Sequence, residues 1–270
     1  MIVSDTPPFV WLLPWKCGST TVKRRLVELD TKRAPSFRHF NQIIGAHVDK
    51  HIPLDQAAQL PDASPKLQRA TLVRNPYDRM YSGFMQRKKR LAKNPPEYLS
   101  AKEIRAELFV LNQGFLAFLQ HLSDLHEAGL PMPAGHPLYR HMLIEGTPAV
   151  DYVGFLETFE ASFAQICAKL GAKPANEMIA NVQFEGALIS PHAFTQTTYR
   201  YLNKYTPEGL EIVNRLFSED FERLPYRLLH GKDLPRDQGS PSDPLCPFSL
   251  DDPLLPQSGN VLSFDWRSAA

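Results

Sequence analysis

An apolar run, Phe9-Val10-Trp11-Leu12-Leu13, leads directly into a small-residue loop and a basic helix, and this stretch constrains the chain more than any other. The run suits a central strand covered on both faces, which requires a sheet with helices on either side. Pro14 ends it, and Lys16-Cys17-Gly18-Ser19-Thr20-Thr21 follows. Val22, Leu26 and Leu29 then recur at helical spacing with Lys23, Arg24 and Arg25 between them. A glycine-containing loop entering a helix offers unpaired backbone N–H groups to an anion. Lys16 adds a mobile charge, and the hydroxyls of Ser19, Thr20 and Thr21 add donors. The blander reading is a strand–helix turn whose Ser and Thr residues cap the helix.

Two familiar phosphate loops fail on spacing. A Walker A loop needs G-x-x-x-x-G-K-[ST], whereas here the lysine precedes the glycine. A Cys-x5-Arg loop would need arginine at position 23, which is Lys23; the arginine comes at Arg24. With 270 residues the chain is long enough for a large α/β domain with a full core, and a net charge of +1 gives no global field for nucleic acid or membrane. Cys17, Cys167 and Cys246 are far apart, odd in number and match no zinc spacing, so a disulfide framework is not expected and a reducing compartment is favoured. No apolar run approaches ~18 residues and no signal pattern opens the chain, so a soluble, cytoplasmic protein without a transmembrane segment is expected.

Residues 1–8 read as a lead-in, and residues 32–53 as a polar segment carrying His39, His47 and His51. A short helical piece over 54–60 and a second buried strand over 70–73 follow. Asn75-Pro76 supplies an N-cap and a first-position proline for a helix with Tyr77, Met80, Tyr81, Phe84 and Met85 inward. That helix ends in Arg87-Lys88-Lys89-Arg90 and Lys93, which reads either as a solvated helix end or as a reader of an acidic acceptor. One long amphipathic helix or a pair spans 100–128. Residues 139–144 and 152–155 read as short strands, and the next helix ends at Gly171. Residues 174–198 look irregular and include His192. A helix capped by Thr206-Pro207-Glu208 runs to about Leu224. One domain over 1–230 is expected, followed by a Pro/Ser/Asp-rich tail over 231–270, loosely packed except for a final short element near 262–266.

The second informative stretch is Leu72-Val-Arg-Asn-Pro-Tyr-Asp-Arg-Met-Tyr-Ser-Gly-Phe84. Arg74 at a strand end and Ser82 on the following helix are spaced to face one anion, the arginine as a planar fork of donors. Arg74 as a structural ion-pair partner and Ser82 as a solvated helix residue is the competing reading. Together with Pro14-Trp-Lys-Cys-Gly-Ser-Thr-Thr21, this stretch resembles the nucleotide motifs of sulfotransferases that use 3′-phosphoadenosine-5′-phosphosulfate (PAPS). Tyr152-Val-Gly-Phe-Leu-Glu157 and the segment from Tyr199 to Tyr226 resemble the carbohydrate-type branch, so the resemblance spans roughly 9–228.

The resemblance implies an α/β fold with a mainly parallel central sheet flanked by helices, related to P-loop nucleotide-binding folds. It implies transfer of a sulfuryl group from PAPS to an acceptor hydroxyl, on a carbohydrate by the branch it resembles, with 3′,5′-ADP as product and no metal. Lys16, Cys17, Gly18, Ser19, Thr20 and Thr21 would take the 5′-phosphosulfate, and Arg74 and Ser82 the 3′-phosphate. An acceptor hydroxyl needs a general base; the family places His or Glu between the two motifs, which makes His51 the first candidate, His47 the second and His39 the third. The partners are then a small-molecule or glycan acceptor and no nucleic acid. A P-loop ATP-dependent kinase and a non-catalytic binder of PAPS or 3′,5′-ADP are the alternatives.

Overall fold

The computed structural model describes residues 1–32, 39–64, 66–130, 132, 135–174, 182–184, 187–189, 201–234 and 261–263. In chain order these form β1 (Ile2–Asp5), β2 (Pro8–Trp11), α1 (Ser19–Arg25), β3 (His39–Asn41), β4 (Ala46–Val48), α2 (Leu54–Ala57), β5 (Gln68–Val73), α3 (Pro76–Lys93), α4 (Ala101–Gln113) and α5 (Phe115–Glu127). Then come β6 (Leu143–Ile144), β7 (Thr147–Pro148), β8 (Tyr152–Phe155), α6 (Phe159–Leu170), β9 (Val182–Phe184), β10 (Ala187–Ile189), α7 (Pro207–Leu216), α8 (Ser218–Arg223) and β11 (Leu262–Ser263). The chain divides into two compact units, one of residues 1–74, 138–196 and 256–270, the other of residues 75–137 and 197–255. His192, Cys246, the segment 264–266 and most of the tail after 234 lie outside the described residues.

The first unit is built on a sheet of order β1-β2-β5-β8-β11. Its three central strands run parallel, β2 to β5 and β5 to β8. The edge pairs, β1 to β2 and β11 to β8, are antiparallel. The expected mainly parallel sheet is therefore mixed, with a parallel centre and an antiparallel strand at each edge. The expected lead-in 1–8 is mostly strand: Ile2 and Val3 are fully buried, and a tight turn at Thr6-Pro7 returns the chain into β2. So short a connection can only join antiparallel neighbours.

Periodicity places α6 correctly. Phe159, Phe163, Ile166 and Leu170 are buried, and Gly171 closes the helix with φ 66°. They pack with Ile2, Phe9, Trp11, Val22, Ala70 and Leu72 in one core, which also holds Cys167, where burial pushes the thiol up to about 12. Gly154 on β8 lets α6 approach: a Cβ there would sit 2.8 Å from Ser162 Cβ and 2.9 Å from Ile166 Cδ1 and Leu72 Cδ2. The Ser162 hydroxyl accepts from Phe155 N at 3.0 Å on the same contact. The polar segment 39–48 is a β3–β4 hairpin, and 139–142 is a turn of 3-10 helix rather than strand. Within residues 174–198, β9 and β10 pair antiparallel.

The second unit is helical. Asn75 Oδ1 accepts from Tyr77 N at 2.9 Å and Pro76 opens α3, as the sequence predicts. Tyr77, Met80 and Phe84 are buried, but Met85 is 49% exposed, because one residue beyond Phe84 turns about 100° off the apolar stripe. The 100–128 stretch is two helices broken at Gly114, whose φ is 117°. Ser100 and Glu103 form a capping box at the start of α4, a signal present in the sequence and passed over there. Thr206 caps α7 through Gly209 N, and the helix breaks at Phe217 before α8. Tyr77 ties the unit together: its hydroxyl donates to Asn214 Oδ1 and accepts from Leu229 N at 2.8 Å, while its carbonyl accepts from Tyr205 Oη at 2.8 Å.

Candidate active site

The loop after β2 is shaped by two left-handed residues. Lys16 has φ 64° and Gly18 φ 77°. Glycine is favoured at 18 by its φ, and a Cβ there would also lie 2.8 Å from Leu156 Cδ1, which would have to shift. Lys16 adopts the same region against the usual preference of an L residue. Leu12 N donates to Ala70 O at 2.8 Å and Cys17 N to Pro14 O at 3.3 Å, so the chain leaves the sheet late and turns tightly. Cys17 is buried, its Sγ 3.6 Å from Trp15 O.

Gly18 is the N-cap of α1, and no side chain caps that helix. The capping role offered by the blander reading is thus not filled, and among the described residues the hydroxyls of Ser19, Thr20 and Thr21 have no hydrogen bond in the protein. The helix itself is shorter than its periodicity predicts, ending at Arg25 in turns that carry Leu26 into the core. Arg25 leaves the loop region altogether: its guanidinium forms a bidentate pair with Glu160 at 2.7 Å for both bonds, over the rings of Phe159 and Phe163.

Arg74 follows the last residue of β5, the parallel neighbour of β2. Its Nη1 donates to the Lys16 carbonyl at 3.4 Å. Two cations therefore meet beyond the carboxyl ends of adjacent parallel strands, the usual side for ligands in such sheets. Neither forms a salt bridge among the described residues. The Lys16 ammonium is brought down to about 8, chiefly by burial and next by the Arg74 charge. Lys50 adds to this repulsion. An anion placed there would relieve all of it.

His51 comes to the same end of β2. Its Nδ1 lies 2.6 Å from Leu13 O, and its backbone N donates to Asp49 Oδ1 at 2.7 Å. A carbonyl only accepts, so Nδ1 carries the proton and Nε2 keeps a lone pair. Burial, the largest influence, lowers the imidazole to about 4 despite the Leu13 hydrogen bond, which acts the other way. His47 is exposed on β4, its ring edge-on to Phe40 at 5.5 Å, and His39 lies half-buried on β3. Ser82 stands half-buried on α3 in the second unit.

The structure thus brings together Lys16 and Arg74 at the Cys17–Thr21 loop, and holds His51 at the same end of β2 through Leu13, all in the first unit. Lys50 belongs with them electrostatically, and its place beside His51 is the one trace of this in the sequence. The other arginine of the second motif, Arg79, is fully buried, 3.8 Å from Asp220, donating to His136 O at 3.1 Å and lying over the Phe217 ring. It is committed to the interior of the second unit.

Among the described residues no helix is long and apolar enough to cross a membrane, and no three His, Cys, Asp or Glu side chains gather as a metal site. Comparison with curated proteins and with solved structures gives no match. A family model, described as sulfotransferase family, matches residues 1–227. That span holds the loop, both cations and the buried histidine, and by it the chain belongs to the sulfotransferase family.

Proposed function

We propose that the protein transfers the sulfuryl group of PAPS to an acceptor hydroxyl, on a carbohydrate. The observation that carries this reading is the meeting of Lys16 and Arg74 around a loop whose hydroxyls are otherwise unused. Lys16 and the Gly18–Thr21 amides take the 5′-phosphosulfate. Arg74, with Ser82 from the spacing of the second motif, takes the 3′-phosphate. ATP lacks that phosphate, so a site built for it leaves Arg74 without its partner when ATP enters.

In the reaction the bond between sulfur and the bridging phosphate oxygen breaks as the acceptor oxygen bonds to sulfur. Charge grows on the departing phosphate, where Lys16 offsets it. The acceptor proton passes to His51 Nε2, the lone pair that the Leu13 hydrogen bond leaves available. His47 is the alternative base. Membership of the sulfotransferase family supports sulfuryl rather than phosphoryl transfer.

The test is a transfer assay with labelled PAPS against a panel of glycans, phenols and lipids. Label transfer to a glycan is expected, and Lys16→Ala should lower turnover by ~100-fold or more, as loss of an oxyanion-type donor does. Transfer from labelled ATP, or turnover indifferent to Lys16, would contradict the reading.

A further inference from the structure

The connection from α3 to α4 is a helix hairpin whose end carries more positive charge than helix capping alone explains. Arg87 lies six residues before the end of α3 and Glu107 six after the start of α4, and the two form a bidentate pair. They are level with each other only if the helices run antiparallel. Leu91, Pro96 and Leu111 are buried and fix the hairpin. Leaving out the paired Arg87, the sequence from Lys88 to Arg105 has six Lys or Arg and two Glu, while the whole chain has a net charge of +1.

Arg90 and Lys93 occupy the last turn of α3, where cations suit the helix dipole. Lys102 stands in the first turn of α4, where the dipole opposes it, and Arg105 follows three residues on. All four are exposed. Between and beside them are two aromatic side chains in water, Tyr98 in the connection at 51% exposure and Phe109 on α4 at 69%. At about 1.5 Å per residue, every one of these positions lies within about 12 Å of the hairpin end along the helices. Of the two glutamates, Glu103 is held by Ser100 in the capping box.

We propose that the end of the α3–α4 hairpin docks on an anionic lipid bilayer, with Tyr98 and Phe109 entering the interface and Arg90, Lys93, Lys102 and Arg105 meeting lipid phosphates. An anionic bilayer takes up both kinds of side chain: cations meet the negative surface while aromatic rings bury at headgroup depth. A soluble polyanion takes up the cations alone and leaves Phe109 in water.

The experiment is co-sedimentation of the full chain with phosphatidylcholine vesicles, with and without phosphatidylserine, compared with retention on immobilised dextran sulfate. Wild type should partition onto the phosphatidylserine vesicles and not onto phosphatidylcholine alone. Lys93→Gln with Lys102→Gln should weaken partitioning by about fivefold for each lysine. Phe109→Ala should weaken it several-fold while leaving dextran sulfate retention at the wild-type level. Equal partitioning onto both vesicle types, or none, overturns the proposal. So does Phe109→Ala with wild-type partitioning, which would assign the basic end to a soluble polyanion. All these positions are exposed, so thermal midpoints of the variants should match wild type, and each is compared with wild type on that condition.

Discussion

Burial and the Arg74 guanidinium together bring the Lys16 ammonium to about 8, so its charge is lost within the range where enzymes are assayed. In the free protein Lys16 is cationic below that pH and neutral above it. A bound phosphate favours the cation, so binding takes up a proton, and affinity for 3′,5′-ADP should be highest below pH 8 and fall as pH rises through it. Calorimetry at about pH 7 and about pH 9 should show this fall in wild type and a flatter profile in Lys16→Ala; a wild-type affinity that does not change with pH would remove Lys16 from the cradle. At His51 the sign is reversed in its consequence. Burial lowers the imidazole to about 4, so it is neutral and able to accept a proton at all ordinary pH values. The acid limb of the pH–rate profile should then fall near pH 4 rather than at the reference value of about 6.5. His51→Ala should abolish that limb and lower turnover roughly 100- to 10,000-fold, with 3′,5′-ADP affinity nearly unchanged. His47→Ala should do little. If His47→Ala carries the loss instead, the base is the hairpin histidine.

Among the elements, the β8–α6 contact depends most on one missing atom. Gly154→Ala places a methyl against Ser162, Ile166 and Leu72, all fixed in the core, and overpacking of this kind costs about 1–3 kcal/mol. Urea unfolding should show the midpoint lowered with the slope kept; an unchanged midpoint would mean that α6 can retreat from the sheet. Gly154 was visible in the sequence, but only as part of a family-like stretch, because what its Cβ would touch is tertiary. The same division runs through the chain. Asn75-Pro76, Thr206-Pro207 and Gly171 were legible because caps are local chemistry, and the stripe Phe159, Phe163, Ile166, Leu170 because it repeats at one period. β1 was not, since Ile2–Asp5 is too short to show alternation and its pairing is set by the β2 it folds onto. At the site, motif spacing pointed to Lys16 and Arg74, and position between the motifs pointed to His51. Neither the approach of Arg74 to the Lys16 carbonyl across 58 residues nor that of His51 to Leu13 across 38 leaves a trace in local sequence. The lowered pKa values follow from those approaches and were therefore out of reach.

Across the molecule, the family match spans 1–227, and in the first unit the parallel three-strand centre carries the loop, Arg74 and His51 at one end of its sheet. The second unit carries the helical half of the arginine motif, where Arg79 is buried in that unit's interior and Ser82 stands half-buried on α3. The proposed function requires that the cations of this chain recognise a second phosphate on the nucleotide. Titration calorimetry of 3′,5′-ADP and of ADP against wild type and Arg74→Ala measures this directly. Wild type should bind 3′,5′-ADP more tightly than ADP by about 1.5–3 kcal/mol, the range for a hydrogen bond to a charged group, and Arg74→Ala should erase the difference while still binding both. Equal affinity of wild type for ADP and 3′,5′-ADP, or a preference that survives the loss of Arg74, would contradict that requirement.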